Sequence, residues 1–475
     1  MVRISTAVGI GIMTCVASAT GLQPSTRTLA ITHVTVIEAT GAPPKPDMTV
    51  VTTGNRISVI GAGANVVVPR GAQVVEGNGQ YLIPGLWDMH VHLFSKEMPW
   101  PAGPGISNKD WFFPLFIVNG VTGVRDMQTD APEIKQAAEW NLQRATGRIV
   151  APEIAVSSRI LEGSRPTPDT LTVTNASEAR EAVRDLQVSG AAFIKVGSSL
   201  SREAYFAIAD EAKKRGIPFA GHVPTAVSAW EATDTGQRTI EHLDGIPAAC
   251  SSQETDWLKR GMRPPRAVII ATYDVKRCEE LAARLARNGT WVVPTDFGAP
   301  GVFAAEGGRL NDPRFKYVPR WMLEHWKTTV DWRVLTGQMR RDDEDDARRI
   351  RAATIAAMRA AHVGLLTGTD VSPSRISFPG FSLHDEMNLR VRQGLSTEEA
   401  LETVTRNPAV FFGTLKDRGT VEQGKIADLV LLDANPLTDI RNVSKIHAVV
   451  LNGALFDRAE LDRLLAGVER AVNAH

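Results

Sequence analysis

Cysteine is scarce in this sequence: three residues in 475, at positions 15, 250 and 278, none of them in a C-x-x-C pair. That argues against a cysteine-built metal site. There is no surplus of charge either, with 53 basic and 53 acidic side chains. A general nucleic-acid binder needs a basic excess to neutralise phosphates, so that class is set aside, though a local basic pocket is not. No internal apolar run approaches the ~18 residues of a membrane span. Sustained repeats, low-complexity tracts and a Gly-rich dinucleotide fingerprint are also missing. With 43% hydrophobic and 22% charged residues, the chain is no long disordered polymer. At about 100–200 residues per domain, its length leaves room for two or three domains, or for one large barrel with an appendage.

The first twenty residues, MVRISTAVGIGIMTCVASAT, have the organisation of an export signal. Arg3 supplies the positive start, residues 6–17 are mostly small or apolar, and Ala17-Ser18-Ala19 matches the A-x-A cleavage pattern. The expectation is a signal peptide over 1–19 and a secreted or periplasmic mature chain. Cys15 would leave with the signal. Cys250 and Cys278 would then meet an oxidising compartment, either joined as a disulfide or buried as two separate thiols.

Short apolar runs bounded by Gly and Pro recur along the chain: 81–94, 120–126, 149–156, 191–197, 217–223, 239–243, 291–295 and 364–371. Runs of this length suit strands buried on both faces. Helical stretches separate them, with capping-box spacing at Asn175/Glu178 and Ser396/Glu399. Eight strands alternating with helices predict an α/β fold, a closed (β/α)8 barrel over 81–409. Residues 28–80 and 410–460 fall outside it. Their alternation and polar turns read as β-hairpins, each too short for a core of its own, so the two chain ends are expected to pair into one small β-sandwich domain. Two insertions, 244–288 and 297–340, lie between later strands. The charged run 340–351 reads as the start of a solvated helix with Glu344–Arg348 and Asp345–Arg349 pairs.

Chemistry concentrates at the ends of the predicted strands. His90 and His92 are two apart, so on a strand both imidazoles point to one side. His222 ends the fifth run, His242 the sixth and Asp370 the eighth, while Lys195 stands in the fourth, inside FIKVG. Each alone has an ordinary explanation: a satisfied core histidine, or an aspartate capping a helix. A lysine inside an apolar strand is harder to dismiss, because its burial is costly unless paired. Six metal-ligating side chains at the catalytic ends of strands one, four, five, six and eight form a pattern that chance does not readily give.

At this point the chain resembles the amidohydrolase superfamily. The matching segments are PGLWDMHVHL (84–93), FIKVG (193–197), GHVP (221–224), IEHLDG (240–245), LLTGTD (365–370), TRNPAVFFG (405–413) and GTVEQGKIADLVLLDANP (419–436). They come in the family's order, and the branch they resemble includes imidazolonepropionase, Xaa-Pro dipeptidase and ochratoxin-cleaving amidases. The resemblance implies two divalent metal ions, zinc being the expected metal. His90, His92 and Asp370 would hold the more buried ion, and His222 and His242 the more exposed one. Lys195 would bridge them as a CO2-derived carbamate. It also implies hydrolysis of a carbon–nitrogen bond by water activated between the ions, with Asp370 as the catalytic proton shuttle. The implied partner is a small-molecule amide such as a dipeptide or N-acyl amino acid. Neither nucleic acid nor, after signal cleavage, a membrane is implied, and a homo-oligomer stays open.

The sequence departs from the dipeptidase pattern after the fifth strand, where A-H-A-Y is replaced by GHVPT and Thr225 stands near the tyrosine's place. Arg159 and Arg165 are the candidates for a substrate carboxylate, with Arg125, Ser158, Thr225 and Asp296 as further loop contacts. Tyr317, Trp321 and Trp326 are expected in the core rather than in a substrate wall. His384 and His362 are expected to pack or cap. Two other readings compete: a mononuclear enzyme that opens a cyclic amide or deaminates, and a periplasmic metal- or ligand-binding protein without catalysis. The second has no use for a proton shuttle at Asp370.

Overall fold

The computed structural model describes residues 27–95, 106–297, 302–339, 344–372 and 375–474. The expected signal and Cys15 lie outside these residues. Within them the architecture is α/β. One sheet is built from both ends of the chain, and parallel strands follow one another through the middle.

The sheet of chain ends has eight strands. Ala454–Phe456, Ile446–Leu451 and Leu429–Leu432 come from the rear of the sequence. They continue through Tyr81–Pro84 into Thr28–Val36, Lys45–Thr53 and Arg56–Ala62, with Gln73–Glu76 parallel to Thr28–Val36. The seam is the antiparallel pairing of Tyr81–Pro84 with Leu429–Leu432, in the register Leu82 opposite Leu431. Alternation along these strands sends Leu29, Val34, Val50, Leu82, Leu429 and Val450 into one apolar cluster. A helix the sequence reading did not anticipate, Arg458–Asn473, follows the last strand. It starts at an Asp457/Glu460 capping box and buries Leu461, Val468 and Val472.

The run 81–94 is two strands rather than one. Gly85 separates Tyr81–Pro84 from Leu86–Val91, and the second piece joins a different sheet. A Cβ on Gly85 would fall onto the Thr122 side chain, so the crossing needs glycine. Leu86–Val91, Val121–Asp126 and Glu153–Val156 then lie parallel. A second parallel set runs through Ile194–Val196, Phe219–Gly221, Thr239–Glu241 and Trp291–Val293. It is extended by Ile160–Glu162 and Thr170–Thr172, two strands the sequence did not announce. The eighth run, 364–371, is not a continuous strand. It touches its neighbours through single parallel bridges, Leu365 to Val292 and Val371 to Val91. On the other side, the Ser158 amide donates to the Phe193 carbonyl at 3.0 Å, linking the two sets.

Helices cover these strands. Ala131–Ala145 begins at an Asp130/Glu133 capping box, and Thr397–Glu402 at the Ser396/Glu399 box. Asn175 caps Ala176–Val188 by accepting from the Glu178 amide, while the Glu178 carboxylate turns to Thr174 instead of closing a box. The insertion 244–288 holds the helix Val275–Asn288 and three short helices before it, and Cys250 and Cys278 are disulfide-bonded across it. In the insertion after the seventh strand, Tyr317 and Trp326 are buried against Phe378 and Phe381, as expected of core residues, and Trp321 is partly buried. In the charged helix Glu344–Ala360, Arg348 pairs with Asp345 and Arg349 with Asp346, three residues apart rather than four. The Glu344 side chain lies outside the description. Among the described residues, no helix is long and apolar enough to cross a membrane.

Candidate metal centre

Three side chains meet in one small volume: His90, His92 and Asp370. The strand Leu86–Val91 sets Asp88, His90 and then His92 on one side by its two-residue period. His90 Nε2 and His92 Nε2 stand 3.3 Å apart, and Asp370 Oδ1 is 3.0 Å from the latter and 3.4 Å from the former. Asp370 is placed by the first strand. Its amide donates to the His90 carbonyl, and Asp88 accepts from the amide and hydroxyl of Thr369, the residue immediately before it. Gly368 lets the run approach, because a Cβ there would lie 2.6 Å from the His90 Cβ.

The remaining predicted residues surround this cluster. The His242 ring lies 4.7 Å from that of His90 and 4.9 Å from that of His222. Three of the four imidazoles have Nδ1 fixed by the protein: His90 on Glu241 at 2.8 Å, His222 on Ser198 at 2.6 Å and His242 on Thr295 at 2.5 Å. That is how metal-ligating histidines are oriented, one nitrogen held so that the other faces inward. His92 Nδ1 is buried with no hydrogen-bond partner.

Lys195 is the sharpest observation. It is 1% exposed, on the strand Ile194–Val196, and its Nζ has no hydrogen-bond partner. An ammonium left so is costly. Burial drives the amine down to about 8, against the pull of Glu241 and Asp370. Burial, with Lys195 beside them, pushes His222 down to about 3 and His90 well below the ordinary histidine value; burial does the same to His242. Burial alone would lift the Asp370 carboxyl, but Arg375 at 2.9 Å and the imidazoles outweigh it and hold it well below the usual carboxylate range. The result is neutral imidazoles, an ionised carboxylate and a strained amine, the protonation states that cation ligation requires. The donor set fits one or more divalent ions, with oxygen and imidazole nitrogen as ligands.

Other candidates landed elsewhere. Arg125 is fully buried, not a loop contact. Its guanidinium donates to both Glu241 oxygens at 2.9 Å and to the Met89 carbonyl. Ser158 is buried and accepts from the Lys195 amide. Asp296 is buried among Arg351, Arg390 and Gln393. Arg159 donates to the Pro168 and Thr170 carbonyls, which ties it to its own loop. Arg165 is exposed and lines a cavity of about 510 Å³ with Ser164, Thr174, Ser198, Ser199 and Thr225. That cavity adjoins the centre, since Ser198 is the residue bonded to His222. His384 Nε2 donates to the Asn119 carbonyl at 2.9 Å, and His33 and His447 pair with Asp47 and Asp433 on the sheet of chain ends.

Four residues that build the site went unnamed in the sequence reading: Asp88, Glu241, Ser198 and Thr295. Glu241 had a signal, because it is a second charged side chain inside a buried strand, directly before His242. Ser198 and Thr295 had none, since loop hydroxyls are everywhere.

Parallel strands whose ends converge on a histidine–aspartate cluster define an α/β protein with a candidate metal centre. The amidohydrolase family profile matches residues 81–455, and the chain belongs to that family, whose members hydrolyse carbon–nitrogen bonds. A dihydroorotase of Pediococcus pentosaceus is 25% identical over 82% of this chain and 87% of its own length. An imidazolonepropionase of Thermoplasma volcanium is 34% identical, over 22% of this chain; the match spans 26% of that relative. Among solved structures, a prolidase complexed with N-methylphosphonate-L-proline has a TM-score of 0.65 at 22% identity, covering 91% of this chain and all of its own.

Proposed function

We propose that the chain is an exported, binuclear metal-dependent amidohydrolase that cleaves the amide C–N bond of a small molecule such as a dipeptide or an N-acyl amino acid. The observation that carries this reading is the buried, unpartnered Lys195 amine among His90, His92, His222, His242 and Asp370. A depressed amine is in part neutral near pH 8, and a neutral amine adds to CO2 with loss of a proton. The carbamate so formed would replace an orphaned amine by one negative charge shared over two oxygens, which suits a residue shared by two divalent ions.

In this reading His90, His92 and Asp370 would hold the more buried ion, His222 and His242 the more exposed one, and the modified Lys195 would serve both. Zinc suits the donors. When bound, such ions supply Lewis acidity and lower the pKa of water to near neutrality. Asp370, ionised, takes a proton at its carboxylate from the attacking water and delivers it to the leaving nitrogen. Glu241, Ser198 and Thr295 hold the ring nitrogens that face away. Thr225 and Arg165 line the adjoining cavity, where the guanidinium suits a substrate carboxylate.

The wider expectations join the proposal. The two parallel sets with the 364–371 run close into the eight-stranded barrel of 81–409. The chain-end sheet folds over its apolar face as a small sandwich made of 28–80 and 410–460. The disulfide supports an oxidising compartment, hence removal of residues 1–19 on export.

The test is metal content by plasma mass spectrometry on wild type and Lys195→Ala, with a panel of dipeptides and N-acyl amino acids assayed in parallel. About two ions per chain, falling together with hydrolysis in the variant, support the proposal. One ion, indifferent to Lys195, overturns it in favour of a mononuclear enzyme for cyclic amides or deamination.

A further inference from the structure

Behind the His242 partner lies a buried cluster of charge that no step above uses. Thr295 follows the strand Trp291–Val293 with φ +44°, a left-handed conformation that is costly for a β-branched residue. Such strain persists only where the surroundings over-determine it. Here they do. The two Glu386 oxygens accept the amides of Asp296 and Phe297, each at 2.6 Å. Asp296 is held by Arg390 and Gln393, both at 2.7 Å, and by Arg351. Arg390 also binds Glu386. Asp296, Glu386 and Arg390 are almost wholly buried. A buried ion cluster is no better for stability than apolar packing of the same volume, so stability alone gives no reason for four charges at this spot. Their placement does: Arg351 comes from Glu344–Ala360 and Glu386, Arg390 and Gln393 from or just after Phe381–Arg392, the helices before and after the run that carries Asp370.

We infer that Glu386, Arg390 and Asp296 are positioning residues that hold Thr295 in its strained conformation, so that its hydroxyl fixes the His242 ring and aims the other nitrogen at the more exposed metal position. The inference rests on the two-ion reading for its metal readout, but not for its second readout. Metal-free protein is titrated with Co2+ against a chromophoric chelator, and the His242 ring is read separately by 15N chemical shifts in metal-free, 15N-histidine-labelled protein. The variants are Thr295→Val, Thr295→Ser, Glu386→Gln and Gln393→Met. The last removes one donor to Asp296 without stranding a charge, so it stands in if Glu386→Gln does not fold. Expected is a loss of about tenfold or more in the weaker Co2+ equivalent for Thr295→Val and Glu386→Gln, with the tighter equivalent nearly unmoved. Gln393→Met shifts the same equivalent less, and Thr295→Ser restores it. The His242 15N shifts move in every variant but Thr295→Ser. Unchanged shifts and affinities in Thr295→Val overturn the inference. So does a Thr295→Val effect that neither Glu386→Gln nor Gln393→Met reproduces. Wild type binding a single Co2+ equivalent overturns the two-ion reading instead, and the 15N comparison then still decides this inference.

Discussion

The sheet of chain ends and the strand ends at the candidate metal centre obey opposite rules. In the sheet, Leu29, Val34, Leu82, Leu429 and Val450 alternate into an apolar cluster and the seam pairs in unbroken register, while the bulged pairing of Thr28–Val36 with Lys45–Thr53 holds the positive-φ residues His33 and Asp47. At the centre, His242, Thr295 and Asp370 all have positive φ, the Lys195 amine has no partner, and burial holds the pKa values of His90, His222 and His242 below the ordinary histidine value. One region minimises free energy locally. The other stores unfavourable terms that the first must offset. Function is therefore expected to fail at the centre with little loss of stability, and stability to fail in the sheet with little loss of turnover.

The largest effect tests that separation at the centre. Asp370→Asn should slow hydrolysis by about 10²–10⁴-fold while the thermal midpoint moves little; an unfolded variant would break the contrast. Beneath the centre the separation should blur. Arg125→Met leaves the Glu241 carboxylate buried without its guanidinium, a loss of about 3–5 kcal/mol by urea unfolding, and because Glu241 also holds His90, activity should fall with it. In the sheet, Leu82→Ala should cost ~2–5 kcal/mol with the turnover of the folded fraction unchanged. A change in turnover there would mean that the two regions are coupled across Gly85.

The smallest effect is a pH dependence that belongs to neither region. Burial pushes His384 down to about 4. Below its ordinary value of about 6.5 the unfolded chain binds a proton that the folded chain refuses. Stability is full above about pH 6.5 and falls as pH drops through about 4, by at most ~3 kcal/mol for this one group. Urea midpoints of His384→Gln and wild type should converge on acidification if the group acts alone.

What could be read from the sequence follows the same division. Alternation and short apolar runs carry the period of a strand, so the sheet strands and most of the parallel ones were visible. The cluster of His90, His92 and Asp370 was visible because its members are chemically rare in buried strands. Gly85 was opaque, since a change of sheet leaves the apolar run 81–94 unbroken. The eighth run looked like a strand but makes only two bridges, because Gly368 and the strained Asp370 bend it toward His90. Arg125 and Asp296 looked like loop charges, because a buried ion pair has no local signature: their partners, Glu241 and Arg390, are far along the chain.

The seam between Tyr81–Pro84 and Leu429–Leu432 also imposes an order in time. The front strands emerge early in synthesis, and the strand that covers them emerges near its end. At about 5–20 residues per second, the wait is tens of seconds. Throughout it, Tyr81–Pro84 presents an open apolar edge of the kind that invites pairing with other chains. Closure of the seam is a late, non-local event, so the yield of folded protein should depend on how well that edge is shielded while the middle of the chain is being made.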